Sequence, residues 1–188
     1  MSETFNGRVS ITNAAGVEVF AFDSTTVSLK LTNAATGITT VTLDGSLGDI
    51  QLNGADCAEE FDVDETDTVG PGSVLTIGAG GRLRACRLAY DRTVAGIVSG
   101  AGGFRPGVVL DSRAGQRRTP VALSGKVYCK VDAGPAPVEV GDLLTTSGRF
   151  GHAMKAMDST RAFGATLGKA LQPLEAGTGL IPVLVTLH

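Results

Sequence analysis

Tryptophan is absent, and aromatic residues make up only 5% of a 188-residue chain whose hydrophobic fraction is 43%. Two tyrosines and no tryptophan give no stacking platform of the kind that sugars or unpaired bases need. The apolar character comes instead from Val, Leu, Ile and Ala, and it is interspersed with 26 glycines. That mixture favours many short strands and tight turns over long helices. No apolar run is long enough to span a bilayer, so no membrane insertion is expected. Met1-Ser2-Glu3-Thr4 lacks the basic and apolar regions of a signal peptide, which predicts synthesis in the cytoplasm.

Excess positive charge is also missing. The formal net charge is −3, so no global field draws the chain to nucleic acid. Arg113, Gln116, Arg117 and Arg118 form one basic cluster, but no aromatic interleaves it, and it reads as a solvated loop. Cysteine is scarce and odd in number: Cys57, Cys86 and Cys129 lie far apart and form no CxxC. Neither a disulfide framework nor a structural zinc site fits, and Cys86 and Cys129 read as small buried thiols. Gly100-Ala101-Gly102-Gly103 lacks the Lys and Ser or Thr of a phosphate loop. The acidic run at Asp56, Glu59, Glu60, Asp62, Asp64, Glu65 and Asp67 lacks the spacing and central glycine of a calcium loop. No cofactor and no metal is expected.

What the chain does have is repetition. Val9-Ser10-Ile11-Thr12-Asn13-Ala14-Ala15-Gly16 leads into Val17-Glu18-Val19-Phe20-Ala21-Phe22-Asp23. About twenty residues later, Leu29-Lys30-Leu31-Thr32-Asn33-Ala34-Ala35-Thr36-Gly37 leads into Ile38-Thr39-Thr40-Val41-Thr42-Leu43-Asp44. A partial third copy follows at Gly48-Asp49-Ile50-Gln51-Leu52-Asn53-Gly54. The two full copies share a strand, the turn Thr-Asn-Ala-Ala, a Gly, a second strand and a closing Asp. Val27, Leu29 and Leu31 alternate with Ser28, Lys30 and Thr32, the period of a half-buried strand.

One copy of so few strands cannot close a core. Three chains wrapped about a common axis could, as a β-helix or β-prism that also removes open strand edges. Residues 1–8 are then a leader and 9–55 a repetitive stalk of a homotrimer. The competing arrangement is a β-hairpin extension packed on the rest of the same chain.

From residue 56 to 188 the pattern is that of a compact, β-barrel-like domain. Pro71-Gly72-Ser73-Val74-Leu75 is echoed by Val140-Gly141-Asp142-Leu143-Leu144, and Val94-Ala95-Gly96-Ile97-Val98 by Phe163-Gly164-Ala165-Thr166-Leu167. Two related lobes explain the echo. A helix at 160–171 competes, weakened by Gly164, Thr166 and Gly168.

Chemistry concentrates in Asp56-Cys57-Ala58-Glu59-Glu60-Phe61. The Cys57 thiol could attack the preceding carbonyl in an N-to-S shift, with Glu59 or Glu60 as general base. The Asp56 carboxylate could instead attack its own peptide carbonyl. The plain alternative is an acidic strand entry with one buried thiol. His152 and His188 are the only histidines, and a Cys/His hydrolase would need His152 beside Cys57.

Asp56-Cys57-Ala58-Glu59-Glu60-Phe61, Pro71-Gly72-Ser73-Val74-Leu75, and Tyr90-Asp91 with Val94-Ala95-Gly96-Ile97-Val98-Ser99 together resemble a known family. It is the C-terminal autoprocessing domain of phage pre-neck appendage proteins, an intramolecular chaperone. The resemblance covers roughly 56–188. It implies a domain that follows a trimeric β-helical fibre, helps three chains register, and in some members cleaves itself off. The matching bond is Asp56–Cys57, with Glu60 as a candidate catalytic carboxylate. Cys57 stands where the family leads one to expect a hydroxyl residue such as Ser.

Three functions follow as expectations. The first is a structural trimeric fibre or spike module of a phage or phage-derived particle, capped by its C-terminal domain. Its N-terminus would meet a baseplate, shaft or other particle protein. The second is a single-turnover autoprotease with Asp56, Cys57 and Glu60 as its site. The third is a receptor- or glycan-binding fibre tip.

Overall fold

A computed structural model describes residues 7–64, 67–113 and 118–187. Residues 1–6 of the expected leader, Glu65, Gln116, Arg117 and His188 lie outside the described residues. Contacts divide the chain into two units, with the boundary between Gly54 and Ala55. Among the described residues, helix is confined to a 3-10 turn at Ala79–Gly81 and α1 (Ser159–Ala162). Neither is long or apolar enough to cross a membrane.

The N-terminal unit has five strands: β1 (Arg8–Thr12), β2 (Glu18–Asp23), β3 (Ser28–Thr32), β4 (Thr39–Asp44) and β5 (Asp49–Leu52). They form an antiparallel meander in which every strand pairs with the next. The turns explain the reversals. Asn13 Oδ1 accepts from the amides of Ala15 and Val17 at 3.0 and 2.9 Å. Asn33 Oδ1 accepts from Ala35 and Thr36 at 2.9 and 3.1 Å. At the opposite rim, Asp23 Oδ1 takes the amides of Thr25 and Thr26, and Asp44 Oδ1 those of Ser46 and Leu47. These are Asx turns, in which a side-chain oxygen captures the backbone donors of the loop. Gly16 and Gly37, at φ +78° and +68°, supply the left-handed residue that ends the two asparagine turns.

Two expectations change here. Each Asx turn sends the chain straight back, which fixes the repeat within one chain as a meander rather than the separate hairpin expected as the alternative or a strand wound by itself. Val27 does not share a strand with Leu29 and Leu31. It sits in the turn at φ +51°, where its carbonyl accepts from the Gly45 amide at 2.8 Å.

The second unit contains β6 (Asp56–Phe61), β7 (Val74–Ile77), β8 (Leu83–Ala85), β9 (Val94–Val98), β10 (Pro106–Leu110) and β11 (Thr119–Asp132). After them come β12 (Leu143–Thr146), β13 (Ala153–Lys155), α1, β14 (Thr166–Ala170) and β15 (Thr178–Thr186). Five of these close a barrel in the order β11, β15, β14, β12, β13, with β13 returning to β11 through Val131 and Ala153. The core inside includes Val127, Val131, Leu144, Leu167, Val183 and Val185, all essentially without solvent exposure. A smaller cluster of Leu75, Leu83, Val98 and Val121 lies between β7, β8, β9 and the first half of β11.

The long strand β11 joins both halves, and strand order mirrors across it: β15, β14, β12, β13 on one side and β9, β7, β8 on the other. In β7–β9, Leu75 faces Gly96, and the register then slips by one residue before Thr76. In β12–β14, Leu144 faces Gly168, and the register slips before Thr145. The echo between 71–75 and 140–144 therefore has a counterpart in strand pairing. The second echo does not: the structural partner of Gly96 is Gly168, whereas Gly164 lies at φ +74° in the turn after α1. The helix expected as an alternative over 160–171 is reduced to four residues. Asp158 caps it by accepting from the amides of Thr160 and Arg161.

Candidate functional site

β6 carries the chemistry-bearing residues and opens the second unit. It runs between β10, to which it is parallel, and β11, to which it is antiparallel. Side chains on a strand alternate between faces. Asp56, Ala58 and Glu60 therefore share one face, and Cys57, Glu59 and Phe61 the other. Asp56 is 5% exposed and Ala58 fully buried, while Cys57 is half-buried.

Asp56 is the singular residue of this strand. The Ser99 hydroxyl donates to its Oδ1 at 3.0 Å, and its Oδ2 is buried with no hydrogen-bond partner. Burial pushes the carboxyl above the ordinary aspartate range, and the Ser99 hydrogen bond offsets only part of that. Gly125 makes the close packing possible. A Cβ there would meet the Ala55 carbonyl oxygen at 2.6 Å and the Asp56 Cα at 2.8 Å.

The other expected members stand apart. Glu60 is four residues along the strand, about 13 Å from Asp56, and its register partner is Pro120. Cys57 pairs in register with Ser124 and Val108 and faces away from Asp56. Glu59 shares the Cys57 face, about 7 Å along. His152 does not complete a Cys/His pair. It precedes β13, which meets β11 at Val131, seven residues from Ser124 and about 23 Å along the strand. Ser99, which sequence reasoning missed, is the side chain that hydrogen-bonds Asp56 among the described residues. Its contact spans 43 residues of sequence, and nothing local announces it.

Cys86 and Cys129 are both fully buried in the barrel core. Burial pushes the Cys86 thiol up to about 11 and drives Cys129 further in the same direction. Both remain protonated and unreactive at neutral pH. Among the described residues, no group of three or more His, Cys, Asp or Glu is placed to hold a metal ion.

A second feature belongs to the N-terminal sheet. Register aligns Val9, Phe22, Leu29, Leu43 and Ile50 in one cross-strand row. Ile11, Phe20, Leu31, Val41 and Leu52 form the row beside it. All ten are apolar and none is buried, with Ile11 at 58% and Ile50 at 70% exposure. The opposite face carries Arg8, Asp23, Ser28, Asp44 and Asp49 in one row and Ser10, Ala21, Lys30, Thr42 and Gln51 in the next. There Arg8 forms ion pairs with Glu18 and Asp23. Alternation in single strands hints at this face, but the full grid needs the register.

Fold and site together define an all-β protein: a repeat-built sheet followed by a barrel unit with one buried, half-satisfied carboxyl. No protein-family model matches the sequence, and no curated protein matches it. Among solved structures, the fold is similar to that of the pre-mature bacteriophage phi29 gene product 12, with a TM-score of 0.50 at 15% identity. The match covers 79% of this chain and 25% of that one, so the chain spans about a quarter of that protein's length. That share of this chain exceeds Ala55–His188 alone and reaches into the N-terminal unit. At this identity the likeness is one of fold.

Proposed function

We propose that the chain is a structural trimeric fibre or spike module of a phage or phage-derived particle. In this reading the second unit brings three chains into register and caps the repetitive strands. The observation that carries it is the contrast between the units. Ala55–His188 contains a closed barrel with its own core, whereas the N-terminal unit is one layer thick and leaves both apolar rows uncovered by its own strands. A self-sufficient domain joined to a sheet that is not self-sufficient suits a chain that completes its fold with copies of itself. The physical gain is entropic. Association of the barrel units holds three chain ends close and lowers the closure cost of aligning a repeat that is otherwise prone to slip. The likeness to a phage gene product supports the particle context. Such a module would be made in the cytoplasm without a signal peptide and would join a baseplate, shaft or other particle protein through its N-terminus. Sedimentation at low micromolar concentration tests the reading: a trimer is expected, and a monomer overturns it.

The buried Asp56 favours a second reading, self-cleavage at Asp56–Cys57 during maturation. Its carboxyl follows the unit boundary directly and is paired only through one oxygen. Attack on its own peptide carbonyl would form a cyclic anhydride and release the Cys57 amine, with water then opening the anhydride. Glu60 lies too far along β6 to assist at that bond, so Ser99 takes the positioning role. Denaturing mass spectrometry of aged trimer decides it. Cleavage after Asp56 that Asp56→Ala abolishes supports this reading, and a persistently intact chain refutes it.

A further inference from the structure

We propose that the apolar face of the N-terminal sheet is the contact between three copies of this chain, closed as a triangular β-prism with Leu29 and Leu31 on its axis. The inference rests on the trimeric reading above and adds which face, which edges and which residues make the contact.

Composition carries the first step. The ten positions from Val9 to Leu52 are all apolar, and the charges of Arg8, Asp23, Lys30, Asp44 and Asp49 lie in the rows of the other face. Three such faces can meet without burying a single charge, which removes the desolvation penalty that usually opposes association. The face measures about 24 Å across five strands by about 14 Å along them. That is a sheet face of about 340 Å², the size that the largest apolar patch of an ordinary monomer reaches, so composition and edges rather than area point to its role. It is also less than a stable interface needs by itself, so the face requires the barrel units to hold the copies together.

Dimensions carry the second step. A triangular prism with sides of about 24 Å has its axis about 7 Å from the centre of each face. That is slightly more than half the separation of two packed sheets, so the longest reach is needed at the middle of the sheet. The middle strand is β3, and its two inward residues are Leu29 and Leu31. Val9 and Ile11 on β1, and Ile50 and Leu52 on β5, then fill the corners.

Edges carry the third step. Among the described residues, β1 and β5 each have one unpaired edge in the sheet. Two sheets packed face to face would leave all of those edges open. Three-fold closure instead sets β1 of one copy beside β5 of the next and leaves no edge exposed along the prism.

The test uses the full chain in a Cys57→Ser background with Val9→Cys and Ile50→Cys. Within one chain those positions are four strand spacings apart, about 19 Å, too far for a disulfide. Mild oxidation is expected to give a covalent trimer on a non-reducing gel. Leu31→Lys is expected to raise amide exchange across residues 8–52 about tenfold while the barrel unit stays protected. A native trimer without cross-links, and with unchanged exchange in the Leu31→Lys variant, overturns this contact but leaves the trimeric reading standing. Covalent products that stop at dimer overturn the three-fold closure. A native monomer overturns both.

Discussion

Gly96 and Gly168 occupy matching places in the two halves of the barrel unit, one opposite Leu75 and the other opposite Leu144, each beside a one-residue slip in register. Each presses its backbone against a neighbouring strand. A Cβ on Gly96 would meet the Ala122 carbonyl oxygen at 2.6 Å, and one on Gly168 the Leu184 carbonyl oxygen at 2.1 Å. Their φ values of +157° and +150° also disfavour any side chain.

Gly168→Ala is therefore expected to be the more damaging of the two alanine substitutions. Both contacts involve backbone that cannot swing aside. We expect a loss of about 2–4 kcal/mol for Gly168→Ala and about 1–3 for Gly96→Ala. Urea unfolding followed by far-UV circular dichroism gives both values, and a neutral effect at either position would contradict the matched-strand geometry.

Asp56→Asn should stabilise the chain at neutral pH relative to the parent. The amide keeps an acceptor for Ser99 and removes the charge that burial opposes. The sign follows from the raised folded-state pKa of Asp56. The stability that this carboxyl contributes is complete below its unfolded pKa and is lost as pH rises through the folded one. The difference between variant and parent should thus be small in acid and grow from the ordinary aspartate range upward. Unfolding midpoints measured from pH 3 to pH 8 check it.

Thiol accessibility should divide the cysteines. Cys57 is half-buried, whereas Cys86 and Cys129 are fully buried with raised pKa values. A thiol-reactive dye at pH 8 is expected to label Cys57 promptly and the other two only after denaturation. Prompt labelling of three thiols in the native protein would show that the barrel core is open.

Asn33→Ala should loosen the N-terminal sheet alone. It removes the acceptor that captures the Ala35 and Thr36 amides, a local loss of about 0.5–1.5 kcal/mol. Hydrogen exchange is expected to quicken in residues 28–44 and to stay unchanged in the barrel core. Equal quickening in both units would argue against their separation at Gly54.

Much of the secondary structure was legible because its causes are local. The repeat at Asn13 and Asn33, and at Asp23 and Asp44, announces reversals through side chains that bond their own loops. Alternation of Leu29 and Leu31 with Ser28, Lys30 and Thr32 marks a strand with one apolar face. The echo of 71–75 in 140–144 was visible too, but its continuation was misaligned by the glycine at position 164. A glycine in a turn after a capped helix and a glycine pressed against a carbonyl look alike in sequence, and only the packing tells them apart. The three residues named from the sequence part company in the structure. Asp56 is buried against Ser99, while strand geometry sets Glu60 about 13 Å from it and turns Cys57 away.

The sequence by itself determined an all-β chain with a repetitive head, the turn chemistry at each reversal, and two cysteines destined for the interior. Those features depend on propensity, alternation and side-chain bonds a few residues long. Tertiary structure alone decided that Ser99 meets Asp56 across 43 residues. It also decided that β13 returns to β11 to close the barrel, and that ten apolar side chains from five strands line up on one uncovered face. Each of these depends on register between distant strands. A one-residue slip would send every side chain to the other face, and no local stretch of sequence encodes that choice.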